Sequence, residues 1–249
     1  MKREFVKTEN AQRLATAIHL REARGAAESG LVVVHGRAGE GKTRTLHNWA
    51  STRRAVMLTA YPGWTPSKMM AEIAQVMHVV TRGTWEADIA EHIAEAETPL
   101  VVDEAGFALA NSAACLERLR TITDKSGTLL VMALMQRDMA RLCQYDQLTS
   151  RATLCEFKSS SVTDVGAACL QLAEVAIATD LVERIHAEAE GRMRLVIDAI
   201  HLVENVARSK GLDRVAAADL AGMRLCQDFD AAGTGGSRHR STGARRGGR

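Results

Sequence analysis

Residues Gly36 to Thr43 read Gly-Arg-Ala-Gly-Glu-Gly-Lys-Thr, a Gly-x-x-x-x-Gly-Lys-Thr loop whose chemistry is the cradling of phosphate. The glycines allow a tight turn that presents backbone N–H groups. The lysine adds a point charge, and the threonine hydroxyl can reach a metal ion. Gly36, Arg37, Ala38, Gly39, Glu40, Gly41, Lys42 and Thr43, with Arg44 behind them, form the expected nucleotide-binding stretch. About 60 residues on, Asp103 and Glu104 close the apolar run Leu100-Val-Val102. One carboxylate beside a phosphate loop suits Mg²⁺, which takes few carboxylates plus phosphate oxygens and water. Thr43 and Asp103 are the expected metal ligands. Glu104 is expected to point to the other side of the strand end and polarise a water aimed at the terminal phosphate. Two arginines could neutralise the charge of a phosphoryl group in flight. Arg151, before a strand, would face a neighbouring subunit; Arg194, in Gly191-Arg-Met-Arg194, would fold back from a lid helix. Spacing alone leaves both open to being solvated surface arginines.

These residues need a sheet to carry them. The β-branched run in Gly30–His35 predicts a strand feeding the loop, and Lys42–Ala50 a helix leaving it. Further strands are expected at 55–59, 99–103, 128–134 and 152–157, with helices at 8–28, 67–79 and 85–97. Strands alternating with long helices predict a parallel sheet covered on both faces. Beyond Ser159-Ser-Ser161 no further strand pattern is read, and three or four helical stretches run from about 163 to 224. The expected organisation is an α/β core at 1–159, a helical lid at 160–228 and a basic tail at 229–249.

The bulk composition fits that division. Of 249 residues, 46% are apolar and 25% charged, as in an ordinary globular core, while aromatics at 4% leave the core to aliphatic side chains. No signal peptide or run of about 20 apolar residues is read, so a cytoplasmic location with no membrane partner is expected. Cys115, Cys143, Cys155, Cys169 and Cys226 are scattered and odd in number, which predicts buried thiols rather than disulfides or a metal framework. The net charge of +2 hides an asymmetry. Arg238, Arg240, Arg245, Arg246 and Arg249 outweigh it, so the body before them is mildly acidic. The tail is expected to be disordered, either draping along a phosphate backbone or serving only solubility.

With these motifs in order, the chain resembles AAA+ ATPases, and among them the transposition helper ATPases typified by phage Mu transposition protein B. The resemblance spans roughly residues 4–225. It rests on Phe5-Val-Lys-Thr-Glu-Asn10, the loop 36–43, Tyr61-Pro-Gly-Trp-Thr-Pro66, Val101-Val-Asp-Glu-Ala105, Leu148-Thr-Ser-Arg151 and Gly191-Arg-Met-Arg194. It implies a P-loop α/β sandwich with a five-stranded parallel sheet and a small helical lid, using ATP and Mg²⁺. It also implies roles for Arg151 as an arginine finger and Arg194 as the lid's sensor arginine. Such proteins assemble as filaments or rings on duplex DNA, steer target choice and activate a transposase in a bacterial host. Two departures stand out. The family's polar residue after the fourth strand has only Gln136 to match it, which implies slow hydrolysis. No preceding helix-turn-helix is read in this sequence, so DNA contact is expected from the core or the tail. Lys68 and Arg82, beside the helices between the second and third strands, are the candidate DNA contacts. A helicase loader and a nucleotide switch without a direct DNA role are the competing functions.

Overall fold

The structure is a computed structural model describing residues 1–23, 30–79 and 85–227. Arg82, the last residue of the expected lid (228) and the basic tail at 229–249 lie outside these residues. The first helix, α1 (Glu9–Glu22), begins where Thr8 accepts a hydrogen bond from the Ala11 N–H at 3.3 Å. Strand β1 (Leu31–Gly36) then enters the phosphate loop, and α2 (Lys42–Arg53) leaves it. Next come β2 (Val56–Thr59), α3 (Pro66–Met77), α4 (Trp85–Glu95) and β3 (Leu100–Asp103). Helix α3 has Pro66 at its first turn and Thr65 as its cap, a strong start signal. The core closes with α5 (Ala114–Ser126), β4 (Leu130–Met135), short α6 (Met139–Leu142) and α7 (Asp146–Thr149), and β5 (Ala152–Glu156).

All five strands run parallel in the order β2-β3-β4-β1-β5. Every residue of β1 is buried, and its side chains alternate between two clusters. Leu31 and Val33 join Leu58, Val102 and Met132 under α3, α4 and α5, while Val32 and Val34 join Val101 and Val131 under α1 and α2. A run without polar alternation is what a doubly covered parallel strand requires. The crossover order leaves the ends of β1, β3 and β4 side by side, which gathers the phosphate loop, Asp103 and the turn after β4.

The lid has its own core. Helices α8 (Val162–Leu172), α9 (Thr179–Ala189) and α10 (Met193–Lys210) bury Val165, Leu172, Ile185, Val196, Ile200 and Val203 together. Val6, from the segment before α1, is buried in this lid cluster rather than in the sheet core. The expectation of no strand beyond 161 is corrected. Strands β6 (Ala176–Ile177) and β7 (Arg214–Val215) pair in parallel, each only two residues long. The cysteine expectation holds for four of five: Cys143 is exposed. Burial pushes the Cys155, Cys169 and Cys226 thiols up to about 11.

Candidate nucleotide site

The phosphate loop is shaped by its glycines where the backbone demands them. Gly39 and Gly41 hold φ of +87° and +88°, the left-handed region that side chains avoid. Gly36 has a different reason: a Cβ there would collide with the Glu40 carboxylate and lie 2.8 Å from the Phe157 carbonyl oxygen. Lys42 is buried, and its Nζ donates to the carbonyls of Gly36 (2.9 Å) and Arg37 (2.7 Å). Burial lowers its pKa, with the nearby Glu40, Glu104 and Asp103 charges opposing that shift.

A cleft of about 390 Å³ opens above the loop. It is lined by Ala38, Gly39, Gly41, Lys42, Thr43 and Arg44 from the loop and helix start, by Asp103 and Glu104 from the end of β3, and by Arg194 from the lid. The structure thus brings together most of the residues that the sequence singles out. Gly36, Arg37 and Glu40 do not line it. The Glu40 side chain is buried beneath the loop, where Oε2 accepts the Arg37 N–H at 2.7 Å. Its carboxyl pKa is raised, chiefly by burial. A groove of about 470 Å³ beside α2, lined by His47, Arg54 and His92, is larger but has neither a glycine loop nor paired carboxylates.

Asp103 is buried at the strand end and accepts the Glu104 N–H at 2.9 Å through Oδ1, which leaves its second oxygen uncommitted by that bond. Glu104 departs from the expected geometry. Its backbone is left-handed (φ 51°), so the strand's alternation stops at Asp103 and both carboxylates line the same cleft. A non-glycine residue held in this region at a cleft is a frequent mark of a functional position. The oxygen donors of Asp103 and Thr43 in one cleft fit Mg²⁺, which completes its shell with phosphate and water oxygens.

The lid is fastened directly to the loop. The Arg194 N–H donates to the Gly39 carbonyl at 3.1 Å, and the Arg192 and Arg194 Cβ atoms would lie 3.6 and 3.5 Å from a Cβ on Gly39. Asn10 adds a second tie. Its side-chain amide donates to the Lys158 carbonyl (2.7 Å) and the Glu40 carbonyl (3.4 Å), and its oxygen accepts the Lys158 N–H at 3.0 Å. Between the segment before α1, the loop and the lid lies a small apolar pocket bordered by Phe5, Val6, Met193 and Ile197. Sequence reasoning does not find this wall, because its members are about 190 residues apart and carry no motif.

The remaining predicted residues lie elsewhere. Arg151 is not in the cleft. It sits before β5, at the opposite end of the sheet, where its Nη1 donates to Asp124 Oδ2 at 3.1 Å. Lys68 is exposed at the start of α3 with its Nζ 6.0 Å from the centre of the Tyr61 ring. Gln136 does not line the cleft either; its Oε1 lies 2.9 Å from His35 Nδ1, on the last turn of β1 before the loop. Arg137, which the sequence reading passes over, does line it. Among the described residues, no helix is long and apolar enough to cross a membrane.

No family model matches this sequence, and no curated protein does. Solved structures do. Cdc6p from Pyrobaculum aerophilum superposes with a TM-score of 0.61 at 19% identity, covering 88% of this chain and 68% of that one. The RuvB Holliday junction branch migration motor from Thermotoga maritima gives 0.57 at 19%, covering 86% and 67%. Domain III of the replication initiation protein DnaA from the same organism gives 0.57 at 15%, covering 86% and 91%. None of the three is a transposition protein by name. At these identities the likeness establishes the fold alone: a five-stranded parallel sheet covered by helices on both faces, shared with these structures.

Proposed function

We propose that this chain is a magnesium-dependent AAA+ ATPase, with its core at 1–159 and lid at 160–228, that assembles on duplex DNA, selects it as target and activates a partner transposase. The nucleotide part is carried by one observation, the convergence of Lys42, Thr43, Asp103, Glu104 and Arg194 on a single cleft. The base would lie against Phe5, Val6, Met193 and Ile197, and the phosphates would run along the loop amides. Thr43 and Asp103 would hold Mg²⁺, which when bound offsets the phosphate charge and fixes its geometry. Glu104 would accept the proton of a water aimed at the terminal phosphate. Lys42 and Arg194 would neutralise charge from two sides of it.

Assembly is the reading that gives Arg151 a use. At the far end of the sheet from its own cleft and 37% exposed, it would complete a neighbour's site. In a filament or ring, each active site would then lie at a seam between protomers. Lys68 beside Tyr61, on an exposed turn, would contact the DNA backbone without reading sequence.

The transposase partner is supported by the order of motifs in the sequence. A second reading, helicase loading, is favoured by the likeness in fold to a domain of a replication initiation protein. Negative-stain microscopy and ATP turnover with and without DNA separate them. The transposition reading expects duplex DNA plus ATP to yield filaments or rings and to stimulate turnover. A preference for single strands turns the choice to the loader, and no DNA dependence at low salt defeats both.

A further inference from the structure

The chain crosses from the α/β core into the lid between β5 and α8, and the first turn of α1 holds both sides of that crossing. On the core side, Asn10 grips Lys158 through two hydrogen bonds. Its Nδ2 donates to the Lys158 carbonyl at 2.7 Å, and its Oδ1 accepts the Lys158 N–H at 3.0 Å. On the lid side, Asp164 in the first turn of α8 reaches back to the residue before Asn10. The Glu9 N–H donates to its two carboxylate oxygens at 3.1 and 3.3 Å. Thr8 already serves the Ala11 N–H, so the Glu9 N–H is one of the donors that a helix start leaves over. A carboxylate there also meets the positive end of the helix dipole. Asn10 and Asp164 are both buried. Between them, the crossing is fastened to the turn before α10. The Ser160 N–H donates to the Gly191 carbonyl at 2.8 Å, and His186 Nε2 donates to the Ser160 carbonyl at 3.1 Å.

We propose that Asn10 and Asp164 are positioning residues for nucleotide binding: together they clasp the core–lid crossing onto α1 and so set where Arg194 meets the phosphates. This rests on the nucleotide reading above and adds to it the two residues that aim the lid arginine. A closed circuit of contacts carries the argument. It runs from Asn10 to Lys158, along the chain to Ser160, across to Gly191 and along the chain again to Arg194, whose N–H donates to the Gly39 carbonyl. It returns through the loop, where Asn10 Nδ2 also donates to the Glu40 carbonyl at 3.4 Å. The longest covalent stretch in this circuit is Gly191 to Arg194, too short to absorb a shift of the crossing by flexing. A shift there therefore reaches the Arg194 side chain. The residue types fit the role. A carboxamide sets donor and acceptor side by side, the match for one residue's C=O and N–H, whereas a carboxylate at position 10 would face two carbonyls with no proton to give.

The test is a double-mutant cycle on the affinity for a non-hydrolysable ATP analogue with Mg²⁺, measured by calorimetry, with circular dichroism to verify folding. Arg194→Ala is expected to weaken binding by about tenfold or more, the worth of a charge-assisted contact. Asp164→Ala and Asn10→Ala keep the guanidinium but release its mount, so each should weaken binding by about three- to tenfold. The combinations decide. If both residues act through Arg194, neither substitution costs more than about twofold once Arg194→Ala is in place. Losses that multiply in full in the double variants, or single variants at positions 10 and 164 that bind as wild type does, overturn the proposal and leave the ATPase reading intact. An Arg194→Ala variant of unchanged affinity also overturns it. A wild-type chain that binds no nucleotide removes both readings. Should the alanine variants at positions 10 and 164 not fold, Asn10→Ser and Asp164→Ser replace them in the cycle under the same criteria.

Discussion

The two ends of the parallel sheet treat their charges in opposite ways. At the end where β1, β3 and β4 finish, Lys42, Arg137, Arg194, Asp103 and Glu104 share one open cleft. At the other end Arg120 and Arg151 both donate to Asp124, at 2.6 and 3.1 Å, and Arg120 is also held by Glu117 at 3.0 Å. The first end sets three cations against two carboxylates in an open cleft. The second is neutralised within the chain, yet it holds Arg151 by one nitrogen and leaves it partly open to solvent. Two half-sites at opposite ends of a protomer make sense if protomers stack end to face, as a heterologous interface that closes into a ring or extends as a filament.

Breaking the second end should have the larger effect. Arg151→Ala is expected to cut ATP turnover of the assembled protein by about 10³ or more, the worth of an arginine supplied in trans, with nucleotide affinity of dilute protein little changed. Mixing it with Lys42→Ala, which keeps Arg151, should restore part of the activity, because some seams then hold one good loop and one good arginine. Absence of any recovery in mixed samples would confine each site to one chain. The first end yields next. Glu104→Gln should slow turnover by about 10²–10⁴, the span of general-base catalysis, while keeping nucleotide bound and assemblies on DNA. Unchanged single-turnover rates would take Glu104 out of that role.

A third variant joins the two ends. Asp124→Asn removes the charge that holds Arg151 against its own subunit. The melting temperature should drop by a few degrees at most, since such partly exposed pairs contribute up to about 1 kcal/mol. Turnover of the assembled protein should change severalfold because Arg151 loses its seat. A change in melting temperature alone, with turnover intact, would make the cluster purely structural.

What the sequence discloses follows from where its signals are local. The five strands are found to within a residue or two at most of their ends, and β1, β3 and β4 stand out because buried parallel strands are continuous apolar runs. Lys42, Thr43, Asp103 and Glu104 are legible because the loop and the strand-end pair are contiguous. Helix α5 leaves no start signal: Ala113 precedes it in a left-handed conformation and offers no capping side chain. Strands β6 and β7 are too short for any period to register. Residue type draws attention to Gln136 as the polar group after β4. Only the 3₁₀ turn at Gln136–Asp138 decides that Gln136 faces His35 and that the next residue faces the cleft. The apolar wall from Phe5 to Ile197 is a product of the lid folding onto the segment before α1, and no local pattern encodes it.

The smallest expected effect lies within the phosphate loop itself, at Glu40, which sits beside the cleft yet behaves like the neutralised end. Its carboxyl is buried and its pKa is raised, mainly by desolvation, with the Arg37 N–H and the Lys42 charge pulling the other way. A carboxyl whose folded-state pKa is raised binds its proton more tightly when folded. Its contribution to stability is therefore full below the ordinary carboxyl range and is lost as pH climbs through the raised value. At neutral pH the ionised group is a net cost that Glu40→Gln removes, while the amide oxygen can still accept the Arg37 N–H. The variant should melt higher than wild type at neutral pH, on the order of 2–4 °C at most for a chain this size. The gap should close as the pH is lowered into the ordinary carboxyl range. Melting curves of both proteins between pH 4 and 8 test this range. A variant that melts lower at neutral pH, with a gap that widens as pH rises, would mean that the Lys42 charge outweighs burial. Glu40 would then belong with the open cleft's charges rather than with the braces beneath them.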